Sequence, residues 1–201
     1  MANIAVIYYS ATGTNHALAQ AVGKGATAAG AAVRIHPVAE TVPPDVAAKN
    51  PRWKAFLEET KDSPRATLDD LEWADGVVFG SPTRFGNVAA QLKAFIDSAG
   101  GLWFQGKLAN KVYAGFTSAQ NKHGGCESTL LALYNSIYHF GGIIATPGYT
   151  DQAVFGAGGN PYGPCFATGP NGDLPDAAAL AHAEYLGKRV TDIAGKVRGA
   201  K

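Results

Sequence analysis

The short polar stretch Ser10–Asn15 combines residue types and a position that could bind an anion. It reads SATGTN, follows the apolar run Ile4–Tyr9, and precedes an alanine-rich segment that predicts a helix. A strand, a small polar loop and a helix start together present backbone N–H groups and the positive end of a helix dipole to an anion. The loop adds hydroxyl and amide donors and contains no lysine or arginine. The pattern therefore predicts a site that encloses one monophosphate group with hydrogen bonds.

Two common nucleotide-binding motifs are absent from the sequence. A P-loop requires GxxxxGK[ST], and no such string occurs in the chain. A dinucleotide fingerprint requires GxGxxG after a strand, but the opening loop has only Gly13, and Gly156 and Gly158 are followed by Pro161 in the third position. No carboxylate pair or Ser-His-Asp arrangement emerges, so hydrolase chemistry has no support.

Two later strands are predicted to end in small polar residues as the first one does. They read GVVFGSPT at 76–83 and KVYAGFTSA at 111–119. Ligands of open α/β sheets bind at the carboxyl ends of strands, where the strand order reverses. The loops at Ser10, Ser81 and Thr117 are therefore expected to line one site.

The elements that position these loops alternate between strand and helix, which predicts an α/β fold with a parallel sheet and right-handed crossovers. The first strand lacks strict alternation, as is typical of a strand buried on both faces. A single domain spanning 1–201 is expected, with insertions at about 40–65 and 148–175 that carry function or an interface. Strands are predicted at 4–9, 31–38, 76–83, 111–119 and in GGIIATPG, and helices at 14–30, 87–99, 127–140 and 176–197, with a short one around 53–60.

Composition excludes several classes of protein. The chain is 46% hydrophobic and 16% charged, and its 17 basic and 16 acidic residues give a net charge of +1. Without a basic block, a nucleic acid partner is not expected. No signal peptide and no membrane span is visible, so a cytoplasmic location is expected. Cys126 and Cys165 show no CxxC or zinc-type spacing, and are expected to be free thiols in a reducing compartment, with no metal site.

The phosphate loop leads to a family resemblance. SATGTN after IAVIYY resembles the phosphate loop of flavodoxins, which bind FMN. Downstream, the sequence resembles WrbA-type NAD(P)H:quinone oxidoreductases, in order, in GSPTRFGNVAAQLKAFIDSAGGLW, FTSAQNKHGGCEST, YHFGGIIATPGYT and GNPYGP. The resemblance covers nearly the whole chain. It implies a flavodoxin-like open parallel five-stranded sheet of order 2-1-3-4-5, with helices on both faces.

The same resemblance implies roles for individual residues around an FMN cofactor, none of them a nucleophile or general base. The FMN phosphate would be held by Ser10, Ala11, Thr12, Gly13, Thr14 and Asn15. The flavin ring would lie along Pro82, Thr83, Arg84, Phe85 and Gly86. The ribityl and pyrimidine side would meet Ser118, Ala119, Gln120, Asn121, Lys122 and Gly124. The pocket where nicotinamide and quinone take turns would be lined by Phe85, Trp103 and His139, the last of which also belongs to the flavin site.

The activity implied is FMN-dependent NAD(P)H:quinone oxidoreduction in a homotetramer. Hydride would pass from NADH or NADPH to flavin N5, and a quinone would then take two electrons in a ping-pong cycle. Two alternatives stay open: a flavodoxin-like electron carrier and a flavin-binding regulatory protein without turnover. A carrier is expected to be strongly acidic around its flavin, and the near-neutral charge of this chain counts against that alternative.

Overall fold

A β-sheet with helices between its strands organises the chain in the computed structural model, which describes residues 1–199. The strands are β1 (Asn3–Tyr8), β2 (Ala32–Pro37), β3 (Gly76–Pro82), β4 (Val112–Ala119), β5 (Ile143–Ile144) and β6 (Cys165–Ala167). The helices are α1 (Thr14–Ala28), α2 (Pro44–Ala47), α3 (Pro51–Glu59), α4 (Leu68–Trp73), α5 (Ala90–Ser98), α6 (Gly100–Phe104), α7 (Cys126–Phe140), α8 (Gln152–Gly156) and α9 (Ala177–Gly199).

The strand order is β2-β1-β3-β4-β5 and every pair is parallel, which confirms the 2-1-3-4-5 order expected from the resemblance. The chain leaves β1 toward β2 on one side, and then crosses to β3 on the other side of β1. The loops after β1 and β3 therefore flank the point where the order reverses, which is where such sheets bind ligands.

Helices cover both faces of the sheet, as the unbroken apolar character of its central strands predicts. Every residue of β3 and β4 is buried. On one face, Phe79 and Tyr113 pack in a core that includes Leu133 of α7. On the other face, the core includes Val78 together with Leu186 of α9. This double burial fixes the strand ends, and hence the loops that follow them.

The sheet contains one strand more than the five expected, because its fifth position is occupied by two short strands. β5 pairs with β4 at Val112–Tyr113, and β6 pairs with β4 at Thr117–Ala119. The other edge of β4 is taken by β3, so both short strands lie along the same edge. The chain between them makes the long Gly/Pro-rich excursion and then returns to the carboxyl end of β4.

Helix α1, which follows the phosphate loop, is held by unusually close packing against α9. A β-carbon at Gly25 would lie 1.9 Å from the carbonyl oxygen of Glu184, and one at Gly187 would lie 1.9 Å from that of Val22. Only glycine permits this backbone approach. The close contact fixes α1, and with it the orientation of its N-terminus toward the sheet edge.

The expectation that Cys126 and Cys165 are free thiols is wrong in the structure. The two residues form a disulfide with a Cα–Cα distance of 6.2 Å, and the described residues hold no free cysteine. No spacing motif reveals this pair, because the two positions are 39 residues apart and meet only through the packing of β6 and α7 against β4. Cys165 begins β6 beside Thr117, and Cys126 begins α7 directly after the loop that leaves β4.

Candidate active site

A cavity of about 750 Å³ opens at the carboxyl ends of β1, β3 and β4. The loops that follow these three strands all line it, as predicted from their polar ends. Cavities of this size at the reversal point of a parallel sheet bind cofactors and small molecules. The predicted cofactor residues on its wall are Ser10, Ala11, Thr12, Thr14, Asn15, Pro82, Thr83, Arg84, Phe85, Ser118, Ala119, Gln120, Asn121 and Gly124.

Four predicted cofactor residues lie off this wall. Gly13, Gly86 and Lys122 belong to the same three loops without lining the cavity, and His139 lies in another groove. Gly13 has a structural reason to be in the loop, because its φ of 93° lies in the left-handed region that favours glycine. It is the N-cap residue of α1.

The phosphate loop contains a buried polar atom without a partner and lies at the uncapped N-terminus of α1. Ser10 Oγ accepts a hydrogen bond from the Gly13 N–H at 3.1 Å, which curls the loop. No side chain among residues 1–199 caps the N-terminus of α1. Asn15 is 1% exposed, and its Oδ1 has no hydrogen-bond partner among the described residues. A buried amide of this kind needs a partner, and it can turn its NH₂ group toward phosphate oxygens. The residues present therefore fit the phosphate of FMN.

The loop after β3 makes a tight turn that projects an aromatic ring. Arg84 N–H donates to the Asn87 carbonyl at 2.8 Å, and Asn87 N–H donates back at 3.1 Å. The two central residues, Phe85 and Gly86, have φ angles of 54° and 76°, as in a type I′ turn. A bulky residue at positive φ is strained, and such strain clusters at binding sites. The ring of Phe85 is fully exposed beside the cavity, which offers a flat apolar surface to a ligand.

Thr83 ties the loop after β3 to the loop after β4. Its N–H donates to the Ser118 carbonyl at 2.8 Å, and its Oγ1 donates to the Gly124 carbonyl at 3.3 Å. Thr129 of α7 donates its own hydroxyl to Thr83 Oγ1 at 2.7 Å. The loops after β3 and β4 are therefore held at a fixed separation.

The outer wall of the cavity comes from the two insertions at 40–65 and 148–175. Asn50, Arg52 and Trp53 line it from one insertion, and the turn Thr168–Gly172 lines it from the other. Arg52 Nη1 donates to the Asn171 carbonyl at 3.0 Å and also to the Gly172 carbonyl, so the insertions are joined across the cavity wall. The sequence analysis expected these insertions to carry function or an interface, but it did not single out these residues.

A half-buried carboxylate holds Trp53 in that wall. Glu40 accepts hydrogen bonds from Tyr9 Oη at 2.9 Å, Trp53 Nε1 at 3.1 Å and Gln91 Nε2 at 2.8 Å. Burial by itself raises the pKa of Glu40, but the hydrogen bonds from Gln91 and Tyr9 and from the backbone N–H groups of the next two residues outweigh burial and lower it. Burial is also the main reason why the pKa of Tyr9 is raised, with Glu40 adding to it. Glu40 is therefore ionised and links Tyr9, Trp53 and Gln91 beside the cavity wall.

Trp103 and His139 lie together, but in a second groove of about 260 Å³. The Trp103 indole N–H donates to the His139 carbonyl at 2.8 Å, and the ring is 52% exposed. Within the described chain, this groove and the large cavity share no lining residue. Of the three residues predicted to line the substrate pocket, only Phe85 meets the large cavity in a single chain.

Two further kinds of feature are missing from residues 1–199. These residues contain no group of three or more His, Cys, Asp or Glu side chains that could hold a metal ion. They also contain no helix that is both long enough and apolar enough to cross a membrane.

Comparisons with known proteins agree with this geometry. Residues 2–150 match the family described as NADPH-dependent FMN reductase. A Deinococcus radiodurans protein named NAD(P)H dehydrogenase (quinone) is 52% identical over 160 residues, which are 80% of each chain. An Azorhizobium caulinodans protein of the same name is 41% identical over 204 residues, covering 99% of this chain and 100% of the relative. The flavodoxin, WrbA-like protein from Agrobacterium tumefaciens shares the fold, with a TM-score of 0.68 at 23% identity over 98% of this chain and 99% of that one.

Proposed function

This chain belongs to the NADPH-dependent FMN reductase family, and on that premise we propose that it is an FMN-dependent NAD(P)H:quinone oxidoreductase. The observation that carries the proposal is the convergence of three strand-end loops on one cavity, with the uncapped N-terminus of α1 and the unpartnered Asn15 at its phosphate end. The names of the two relatives supply the substrate pair, a nicotinamide and a quinone.

The proposed roles follow the shape of the cavity. Ser10–Asn15 hold the phosphate with hydroxyl, amide and backbone donors. When bound, FMN supplies the redox chemistry, accepting a hydride from the nicotinamide and delivering two electrons to the quinone. Phe85 and the rest of its turn orient the ring system. Arg84 lies on the same wall, where a guanidinium stabilises negative charge that develops in the pocket.

We also propose that a homotetramer completes the substrate pocket. Trp103 and His139 line a groove separate from the large cavity of their own chain, so they would line the flavin pocket from a neighbouring copy. The exposed rings of Trp103 and Phe104 favour burial in such an interface. We also propose a cytoplasmic location, because that compartment contains pools of the nicotinamide cofactors.

The proposal is tested by transient kinetics with the purified protein and FMN. NADH or NADPH should bleach the flavin absorbance directly, without an added reductase. Initial rates in nicotinamide and benzoquinone should then give parallel double-reciprocal lines, because both substrates use one pocket in turn. Failure of both nicotinamides to bleach bound FMN within minutes would contradict the proposal and favour the carrier or the regulatory protein.

A further inference from the structure

We propose that the Cys126–Cys165 disulfide is a reversible modification site, opened by dithiol reductants, that clasps the loop on the flavin side of the cavity. Cys165 begins β6, which is in register with the end of β4, and Cys126 begins α7. The loop of residues 120–125 joins β4 to α7. The bond therefore ties the far end of this loop to the strand that flanks its near end.

The loop that the bond closes lines the proposed cofactor cavity. Gln120, Asn121 and Gly124 lie on the cavity wall, although residues 120–123 are exposed to solvent on their other side. Few hydrogen bonds hold the loop to the rest of the chain: Gly169 N–H donates to the Gln120 carbonyl at 2.9 Å, and Thr83 Oγ1 donates to the Gly124 carbonyl at 3.3 Å. Within the loop, Gly124 N–H donates to the Asn121 carbonyl at 2.9 Å. Covalent closure restricts the conformations of such a segment more than these bonds do.

The two sulfurs differ in a way that favours a directed exchange reaction. Cys165 is half-buried, whereas Cys126 is 3% exposed, so an incoming thiolate reaches the Cys165 sulfur more easily. Cys126 is the first residue of a 15-residue helix whose N-cap is a glycine, and no described side chain caps that end. The helix N-terminus stabilises a thiolate there, which makes Cys126 the better leaving group.

The reaction balances with a dithiol as the reductant. A thiolate of the dithiol attacks Cys165 Sγ, the Sγ–Sγ bond breaks, and Cys126 leaves as a thiolate. The second thiolate of the reagent then attacks the sulfur of the same reagent molecule in the mixed disulfide, and Cys165 is released as a thiolate. The dithiol ends as a cyclic disulfide, having given up two electrons, and its two protons end on the two cysteines.

The consequence for ligand binding rests on the proposed function, because it assumes that the cavity takes FMN. An untethered loop must be ordered when the ligand binds, and ordering a few residues weakens affinity. We expect the dissociation constant of FMN to rise roughly threefold or more on reduction. Reduction should also expose the loop to proteases, and this effect needs no cofactor.

The experiment uses the full chain without FMN, either oxidised or treated with dithiothreitol and desalted without oxygen. Thiol titration should find no thiol before treatment and two after it. Trypsin should cut faster after Lys122, an exposed residue of the loop, in the reduced protein. FMN titration of the same samples gives the change in affinity.

The double variant Cys126→Ser/Cys165→Ser is the matched control. In trypsin cleavage and in FMN titration it should behave like the reduced protein, and dithiothreitol should not change either result. The proposal would be overturned if two thiols persisted after treatment with oxidised glutathione. It would also be overturned if cleavage at Lys122 and FMN affinity were both equal in the two redox states. A change in cleavage without any FMN binding would support the clasp while contradicting the proposed function.

Discussion

At the scale of single residues, the phosphate loop is distinctive for one buried polar atom that it leaves without a partner. Asn15 is buried, yet its amide oxygen meets no donor among residues 1–199. An unsatisfied buried polar atom costs free energy of folding, and proteins keep such atoms where a ligand satisfies them. We propose that the missing partner is a phosphate oxygen, which the amide NH₂ group binds after turning.

Replacement of Asn15 with alanine tests this explanation. A hydrogen bond to a charged phosphate contributes about 1.5–3 kcal/mol, so Asn15→Ala should weaken FMN binding about ten- to a hundredfold. Riboflavin lacks the phosphate, and its affinity should stay nearly unchanged. Fluorescence titration with both ligands measures the two constants. An equal loss for FMN and riboflavin would mean that Asn15 supports the cavity as a whole.

At the scale of elements, α3 forms a wall of the cavity although it comes from an insertion. Asn50 begins it as N-cap, with Oδ1 accepting from the Arg52 N–H at 3.0 Å, and Pro51 occupies the first helical position. Both features are standard helix-start signals. The helix is joined to the body by Trp53, which donates to Glu40, and by Phe56, which is buried. Glu40 therefore connects the wall to Tyr9, directly after β1, and to Gln91 of α5.

Glu40→Gln should loosen this wall. Glutamine keeps the shape, but it removes the charge that strengthens five accepted hydrogen bonds, so the free energy of unfolding should fall by about 1.5–3 kcal/mol. FMN affinity should fall as well, because Trp53 lines the cavity. Urea denaturation and FMN titration measure both effects. Glu58→Gln, an exposed change on the same helix, is the control and should stay within about 0.5 kcal/mol of the parent protein.

The elements that the sequence predicts well are those with a long apolar pattern. α1 was expected at 14–30 and spans Thr14–Ala28, and β3 was expected at 76–83 and spans Gly76–Pro82. β6 was missed because three residues within a Gly/Pro-rich segment carry no periodic signal, and only the free edge of β4 makes them a strand. The same long-range pairing brings Cys165 to Cys126.

In the candidate site as well, local sequence patterns predict some features, and only tertiary packing determines the others. The three strand-end loops could be placed together because parallel strands end at one edge, and all three line the cavity. Arg52 and the turn Thr168–Gly172 reach the cavity through tertiary packing of two insertions, which local sequence does not encode. The position of Trp103 in a separate groove also could not be predicted from the sequence, because it depends on how α6 packs against α7.

At the scale of the whole molecule, stability depends on the contact between α1, α9 and the sheet, and α9 contains a buried histidine. His182 is 1% exposed, and its Nε2 has no partner among the described residues. Burial lowers the pKa of His182 to about 4, against the opposing effect of the Asp151 carboxylate. The folded chain therefore holds this imidazole neutral at pH values where the unfolded chain protonates it.

Acid should destabilise the fold through this residue. Between pH 6.5 and about 4 the unfolded state binds one more proton than the folded state, so the free energy of unfolding decreases as pH falls, by up to about 3 kcal/mol at the low end. Above pH 6.5 the residue contributes no pH dependence, since both states leave it neutral. His182→Leu removes the titration and keeps an apolar side chain in the core, so its stability should fall less between pH 7 and 4.5. Urea denaturation across this range measures the slope for each variant.

His123→Gln removes an imidazole that is exposed to solvent, and it should keep the parent's slope. A parent-like slope in His182→Leu between pH 7 and 4.5 would contradict this assignment, because the carboxylates whose pKa values the fold lowers, Glu40 and Asp70, reduce stability only at still lower pH.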